Sequence, residues 1–290
     1  MKNRDLSKPW VTVLFWTIWH SIRLLPLPVA SAVLSTFMEV FSARVTRQSA
    51  IVDNLSKAFP EMPAQKVYKI ARKASGHLGV VAAELCHIER FLGGSAKGIF
   101  TYDGSHQLEL AKKGPVIFVG PHQGNWELVP ILGTEHGIKI TSIYARFGNA
   151  LIDRTIFAQR QKTGASYVEK RRAVRALMKA LESGESLAFL MDQRVRSGVR
   201  VKFFGRDTPM TPVPARLAIR YQCPIVPADI EKRRDGTYHV TFHSPIYPPA
   251  QGGWEAEREM TQLAAKQLEQ TIRRAPETWF CNKRRWPDGK

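Results

Sequence analysis

From residue 115 onward, short apolar runs alternate with stretches of helical periodicity, and few architectures accept that alternation. The runs are PVIFVG, IKITSIYA, SLAFLMD, VRVKFF, PIVPADI and YHVTFHS. Helical texture follows from about residue 125 and again over 150–163, 171–183, 213–221 and 255–274. Brief, nearly continuous apolar runs fit strands covered on both faces, and parallel strands need helical crossovers between them. The expected class is therefore α/β, a mostly parallel sheet flanked by helices. Upstream, residues 63–92 place Val67, Ile70, Ala71, Ala74, Leu78, Val81, Ala82 and Leu85 at three- and four-residue spacing, which reads as one helix. The division expected is a helical, membrane-associated segment over 1–95 and a catalytic domain over 96–290.

The N-terminus carries the membrane expectation. Trp10 to Ile22 (WVTVLFWTIWHSI) has no formal charge and holds three tryptophans. Lys2, Arg4 and Lys8 precede it, and Arg23 follows. A span needs about 20 apolar residues, more than this stretch supplies. An interfacial or marginal anchor suits the tryptophans and the flanking cations, with those cations in the cytoplasm. A buried core helix and a cleaved leader are the competing readings.

Charge narrows the partners. Lys plus Arg number 43 and Asp plus Glu 25, a net +18 in 290 residues. Such a field draws in anionic surfaces, carriers or headgroups. Nucleic acid would also answer, but the sequence holds no zinc spacing, aromatic ribonucleoprotein signature or helix-turn-helix. No nucleic-acid partner is expected. Cys86, Cys223 and Cys281 are odd in number and widely spaced, so they read as buried thiols and not as disulfides or metal ligands. No HExxH, cysteine cluster or GxGxxG occurs, so neither a metal nor a cofactor is expected.

The most informative words are PVIFVGPHQGNWELVPILG. A buried strand ends at Gly120-Pro121 and His122 follows at once, where open α/β sheets bind their ligands. Glu127 comes five residues later, about 500° around a helix, so the two would not share one helical face. If His122 lies on the turn and Glu127 in the first turn of a helix capped by Asn125, the carboxylate can orient the imidazole. Its other nitrogen can then take a proton from a substrate hydroxyl. An ordinary turn histidine is the competing reading. The other seven histidines show no partner spacing and read as structural or surface residues.

His-x4-Glu after a buried strand resembles the His-x4-Asp/Glu block of the glycerolipid acyltransferase superfamily. HQGNWE is similar to the HFGNWE of the lipid A late acyltransferases, and LLPLP, NLSKAFPE, AAEL, MDQRVRSGVRVKFFGR, PIVP and WFCNKRRW resemble that family in the same order. Gln123 stands where an aromatic is common, and Asn282 where His is frequent. The resemblance implies a glycerolipid-acyltransferase-like fold and transfer of an acyl chain from a thioester to a lipid hydroxyl. It makes His122 the general base and Glu127 its partner. Arg146 and Arg160 would grip phosphate, supported by Asp153 and Arg154. Asp192 would position a sugar, orient an arginine or act as a structural cap, and Arg194 is a weaker candidate for the acceptor. Backbone N–H groups near the start of the helix after His122 would serve the oxyanion. The donor implied is acyl carrier protein, or a coenzyme A thioester. The acceptor is an anionic glycolipid of lipopolysaccharide synthesis, or alternatively a lysophospholipid or ornithine lipid. The place implied is the cytoplasmic face of a bacterial inner membrane.

Overall fold

The computed structural model describes residues 9–42, 46–170 and 173–286. Lys2, Arg4 and Lys8, and Arg171 and Arg172 of the expected basic helix, lie outside these. The chain begins with four helices: α1 (Pro9–Leu24), α2 (Leu27–Ser42), α3 (Thr46–Ala58) and α4 (Ala64–Cys86). The strands that follow are β1 (Phe100–Asp103), β2 (Ile117–Gly120), β3 (Ile140–Tyr144), β4 (Ser166–Glu169), β5 (Ser186–Leu190), β6 (Val199–Phe203), β7 (Arg206–Met210), β8 (Ile225–Lys232) and β9 (Tyr238–Phe242). Between and after them lie α5 (Leu108–Lys113), α6 (Val129–Glu135), α7 (Ala150–Gln161), α8 (Ala173–Glu182), α9 (Val213–Tyr221) and α10 (Trp254–Arg274).

Seven strands form one sheet in the order β1-β9-β8-β2-β5-β3-β4. Every neighbouring pair is parallel except β8 with β9. β6 and β7 form a separate antiparallel hairpin. Phe204 and Gly205 turn it, both at positive φ (53° and 71°), the conformation a two-residue hairpin turn requires. β2 is central and covered on both sides. Ile117 and Val119 join one apolar cluster, while Val116 and Phe118 join the other, as the two-residue period of a strand dictates.

The expected boundary after residue 95 coincides with no gap in packing. Ile51 and Leu55 of α3 and Ala71 and Ala74 of α4 share a core with Ile117, Val119 and Leu187 of the sheet. Helix α2 lies close along α4, where a Cβ on Gly79 would stand 2.4 Å from the Leu34 carbonyl oxygen. Only a residue without a side chain permits that approach. Outward, α1 and α2 expose Trp10, Val13, Leu14, Trp16, Val29, Val33, Phe37 and Phe41. Among the described residues, no helix is long and apolar enough to cross a membrane.

Candidate active site

The register of two parallel strands determines the site. Gly120 of β2 stands opposite Leu190 of β5, and the ladder extends one step further as the Met191 N–H donates to the Gly120 carbonyl at 3.0 Å. Two residues past each strand end, the same alignment brings His122 level with Asp192. Their side chains meet: His122 Nδ1 lies 2.6 Å from Asp192 Oδ1. Asp192 is wholly buried, whereas His122 keeps 19% of its side chain exposed. The second carboxylate oxygen accepts the indole N–H of Trp279 at 2.9 Å. Burial pushes the Asp192 carboxyl up, but His122 beside it and the hydrogen bonds from His122 and Trp279 together hold it below the usual carboxylate range. An ionised Asp192 accepts a hydrogen bond from Nδ1–H, and in the neutral imidazole this places the lone pair on Nε2. Trp126 packs edge-on against the ring at 5.4 Å, and the Gln193 side-chain amide nitrogen lies 3.3 Å from Nε2.

Glu127 does not hold His122. Its carboxylate takes a two-pronged contact from Arg160, with Nε at 2.8 Å and Nη2 at 2.6 Å. The reason is local. Residues 121–128 form a loop, and the helix begins at Val129, not near Asn125. Gly124 sits at φ 58°, and a Cβ there would lie 1.7 Å from the Ile230 carbonyl oxygen, so the loop requires glycine. Asn125 caps no helix. Its Oδ1 accepts the Glu127 N–H at 3.0 Å, and its Nδ2 donates to Glu84 at 2.5 Å. Glu84 is fully buried and is also held by Lys232, at 2.5 Å, and by the Tyr238 hydroxyl. This network fixes the loop with Glu127 turned toward α7.

That pairing alters the role expected for Arg160. Burial lowers the affinity of its guanidinium for a proton, but Glu127 more than offsets this and keeps the group charged. Its fork is committed within the protein, so it braces α7 against the site loop and is not an open phosphate clamp. Arg146 is largely exposed and pairs with Glu169 at 3.0 Å. Asp153 Oδ1 accepts the Phe147 backbone N–H at 2.7 Å, a local turn contact. Arg154 and Arg194 are exposed, Arg154 on α7 and Arg194 two residues beyond Asp192.

Two features escaped the sequence reading. The first is the C-terminal tail, which threads beneath the site. The Phe280 N–H donates to the His122 carbonyl at 2.8 Å, one residue after Trp279 reaches Asp192. Asn54 of α3 ties the tail down, donating to the carbonyls of Cys281 (3.0 Å) and Lys283 (2.8 Å) and accepting from the Arg285 N–H at 2.6 Å. The second is the partner of His243, Asp229, at 2.5 Å. Asp229 Oδ2 also accepts from Thr271 at 3.1 Å and Arg274 at 2.6 Å. The three cysteines are buried and free, as expected.

A general base oriented by a buried carboxylate, with its outer nitrogen at a partly open edge, is equipped to deprotonate an incoming hydroxyl. The model of the bacterial lipid A biosynthesis acyltransferases matches residues 1–288. The phosphatidylinositol mannoside acyltransferase of Mycolicibacterium smegmatis is 24% identical to this chain over 181 residues, covering 61% of this chain and 58% of that protein. The chain thus aligns with little more than half of that relative's length.

Proposed function

The chain belongs to the bacterial lipid A biosynthesis acyltransferase family, and on that premise we propose that it moves a fatty acyl chain from an acyl carrier protein thioester to a hydroxyl of a lipid A precursor. The observation that carries the proposal is His122, held through Nδ1 by a buried, ionised Asp192 with Nε2 turned outward. Nε2 removes the acceptor's proton, and the alkoxide attacks the thioester carbonyl. Collapse of the adduct breaks the C–S bond, and the proton passes from Nε2 to the departing sulfur. Glu127 and Arg160 act as a largely buried brace between α7 and the site loop, while the exposed Arg146, Arg154 and Arg194 offer charge to an anionic headgroup. The net charge of +18 suits an acidic carrier, although a coenzyme A thioester is anionic too. The apolar outer faces of α1 and α2 support work at the surface of an inner membrane, on its cytoplasmic side.

The similarity to a phosphatidylinositol mannoside acyltransferase favours a second reading, in which the acceptor is a glycosylated phospholipid. Lauroyl acyl carrier protein offered with either a lipid A precursor or a phosphatidylinositol mannoside, with the product identified by mass spectrometry, separates the two. Under either reading His122→Ala loses about 10²–10⁴-fold in turnover while circular dichroism still shows the parent fold. Normal turnover by His122→Ala would overturn the mechanism.

A further inference from the structure

We propose that Gln193 is a catalytic residue: its side-chain amide caps Nε2 of His122 in the resting enzyme and, once displaced by the acceptor hydroxyl, donates its N–H to the oxyanion. This rests on the reading of His122 as the general base.

With Asp192 accepting from Nδ1–H, the neutral imidazole that acts as a base has its lone pair on Nε2. The only group with which Nε2 can form a favourable contact is then a donor. The Gln193 amide nitrogen stands there at 3.3 Å, a long hydrogen bond that is readily exchanged. The acceptor hydroxyl must occupy that same position to surrender its proton. On arrival it displaces a neutral two-donor amide by a short distance and leaves it beside the reacting atoms. As the O–H proton moves to Nε2 and the new C–O bond forms, the carbonyl π electrons collect on oxygen. That oxygen then needs a donor within about 3 Å.

Several backbone donors of the site loop are already committed. The Gln123 N–H is turned back to Pro121 at 2.8 Å, the Glu127 N–H is taken by Asn125, and the Leu128 N–H by the Asn125 carbonyl at 3.1 Å. The helix that sequence analysis expected to start near Asn125 begins only at Val129 and is seven residues long. Gln193 is held at the right place by its neighbour, because Asp192 is fixed by both His122 and Trp279. An amide also suits the task electrostatically: it donates to an anion without adding a positive charge that would compete with the imidazole for Asp192.

The test compares Gln193→Met, nearly the same shape without donors, with the parent and with His122→Ala, using lauroyl acyl carrier protein and a lipid A precursor. Loss of one oxyanion donor is expected to lower kcat about 10²–10³-fold, with KM for both substrates within about threefold. A second arm needs no substrate. Uncapping Nε2 should speed carbethoxylation of His122 by diethyl pyrocarbonate several-fold, read by peptide mass spectrometry. Should Gln193→Met fail to fold by circular dichroism, Gln193→Ala answers the same two questions. A kcat within threefold of the parent, a loss confined to KM, or an unchanged labelling rate would each overturn the proposal. If Gln193→Met stays active while His122→Ala is dead, this inference alone falls; if both stay active, the reading of His122 falls with it.

Discussion

Two histidine–aspartate pairs with buried carboxylates lie near the carboxyl edge of this sheet, and they differ in what else touches the carboxylate. Asp192 meets His122 on one oxygen and a neutral indole on the other. Asp229 meets His243, Thr271 and the Arg274 guanidinium, all on Oδ2. A carboxylate that already answers a fixed cation has little charge left to orient and polarise an imidazole. A carboxylate bound by a neutral donor keeps its charge for the histidine. His122 also brings its second ring nitrogen beside Gln193, whereas His243 is bound to Asp229 through Nε2. Under the proposed mechanism, similar residue types at similar depth serve as a base in one place and a clasp in the other.

The sharpest way to break this contrast is to neutralise each aspartate in turn. Asp192→Asn should lower turnover by on the order of 10²–10⁴-fold, because the amide leaves the imidazole without its anionic partner and favours the wrong tautomer. Asp229→Asn should leave turnover within about threefold and lower the melting temperature by about 3–8 °C, the cost of stripping Arg274 and His243 of their shared anion. Steady-state rates and thermal melts on both variants check this. Comparable loss of turnover in both would erase the distinction.

A smaller effect concerns acid. Burial pushes the Asp229 carboxyl up, but His243, Arg274 and Thr271 together bring it below its ordinary value. A depressed carboxylate contributes stability that is complete above the unfolded value of about 3.9 and is lost as pH falls through the lower folded value. The gap in melting temperature between the parent and Asp229→Asn should therefore be full above the unfolded value of about 3.9 and narrow as pH falls below it toward the depressed folded value. A gap that widens on acidification would contradict the assignment of Asp229 as an ionised clasp.

Much of this arrangement was legible in the sequence, and its gaps have physical causes. The apolar runs at 116–119 and 187–190 mark β2 and β5, and both His122 and Asp192 are visible just beyond them. What the chain does not display is which strands become neighbours, since pairing across 70 residues depends on the whole sheet. Proximity in sequence therefore favoured Glu127, five residues from His122. Gly124 and the Glu84–Asn125 contact hold that stretch in a loop and turn Glu127 to Arg160. β1, β4 and β7 read FTYD, SYVE and RDTPM, too short and polar to stand out as apolar runs. The helix over α4 was plain from its spacing, but its union with the sheet core was not, because periodicity reveals an apolar face and not what covers it. Trp279 carries no distinguishing signal in the sequence; its indole donor matters only because the tail returns to Asp192.

The claim on which the rest depends is that Asp192, and not Glu127, carries the imidazole of His122. Proton NMR of protein labelled with ¹⁵N-histidine reads this directly, through the downfield Nδ1–H signal assigned to His122 by its disappearance in His122→Asn. The signal should vanish in Asp192→Asn and persist in Glu127→Gln. Its persistence in Asp192→Asn together with its loss in Glu127→Gln would contradict the arrangement described here.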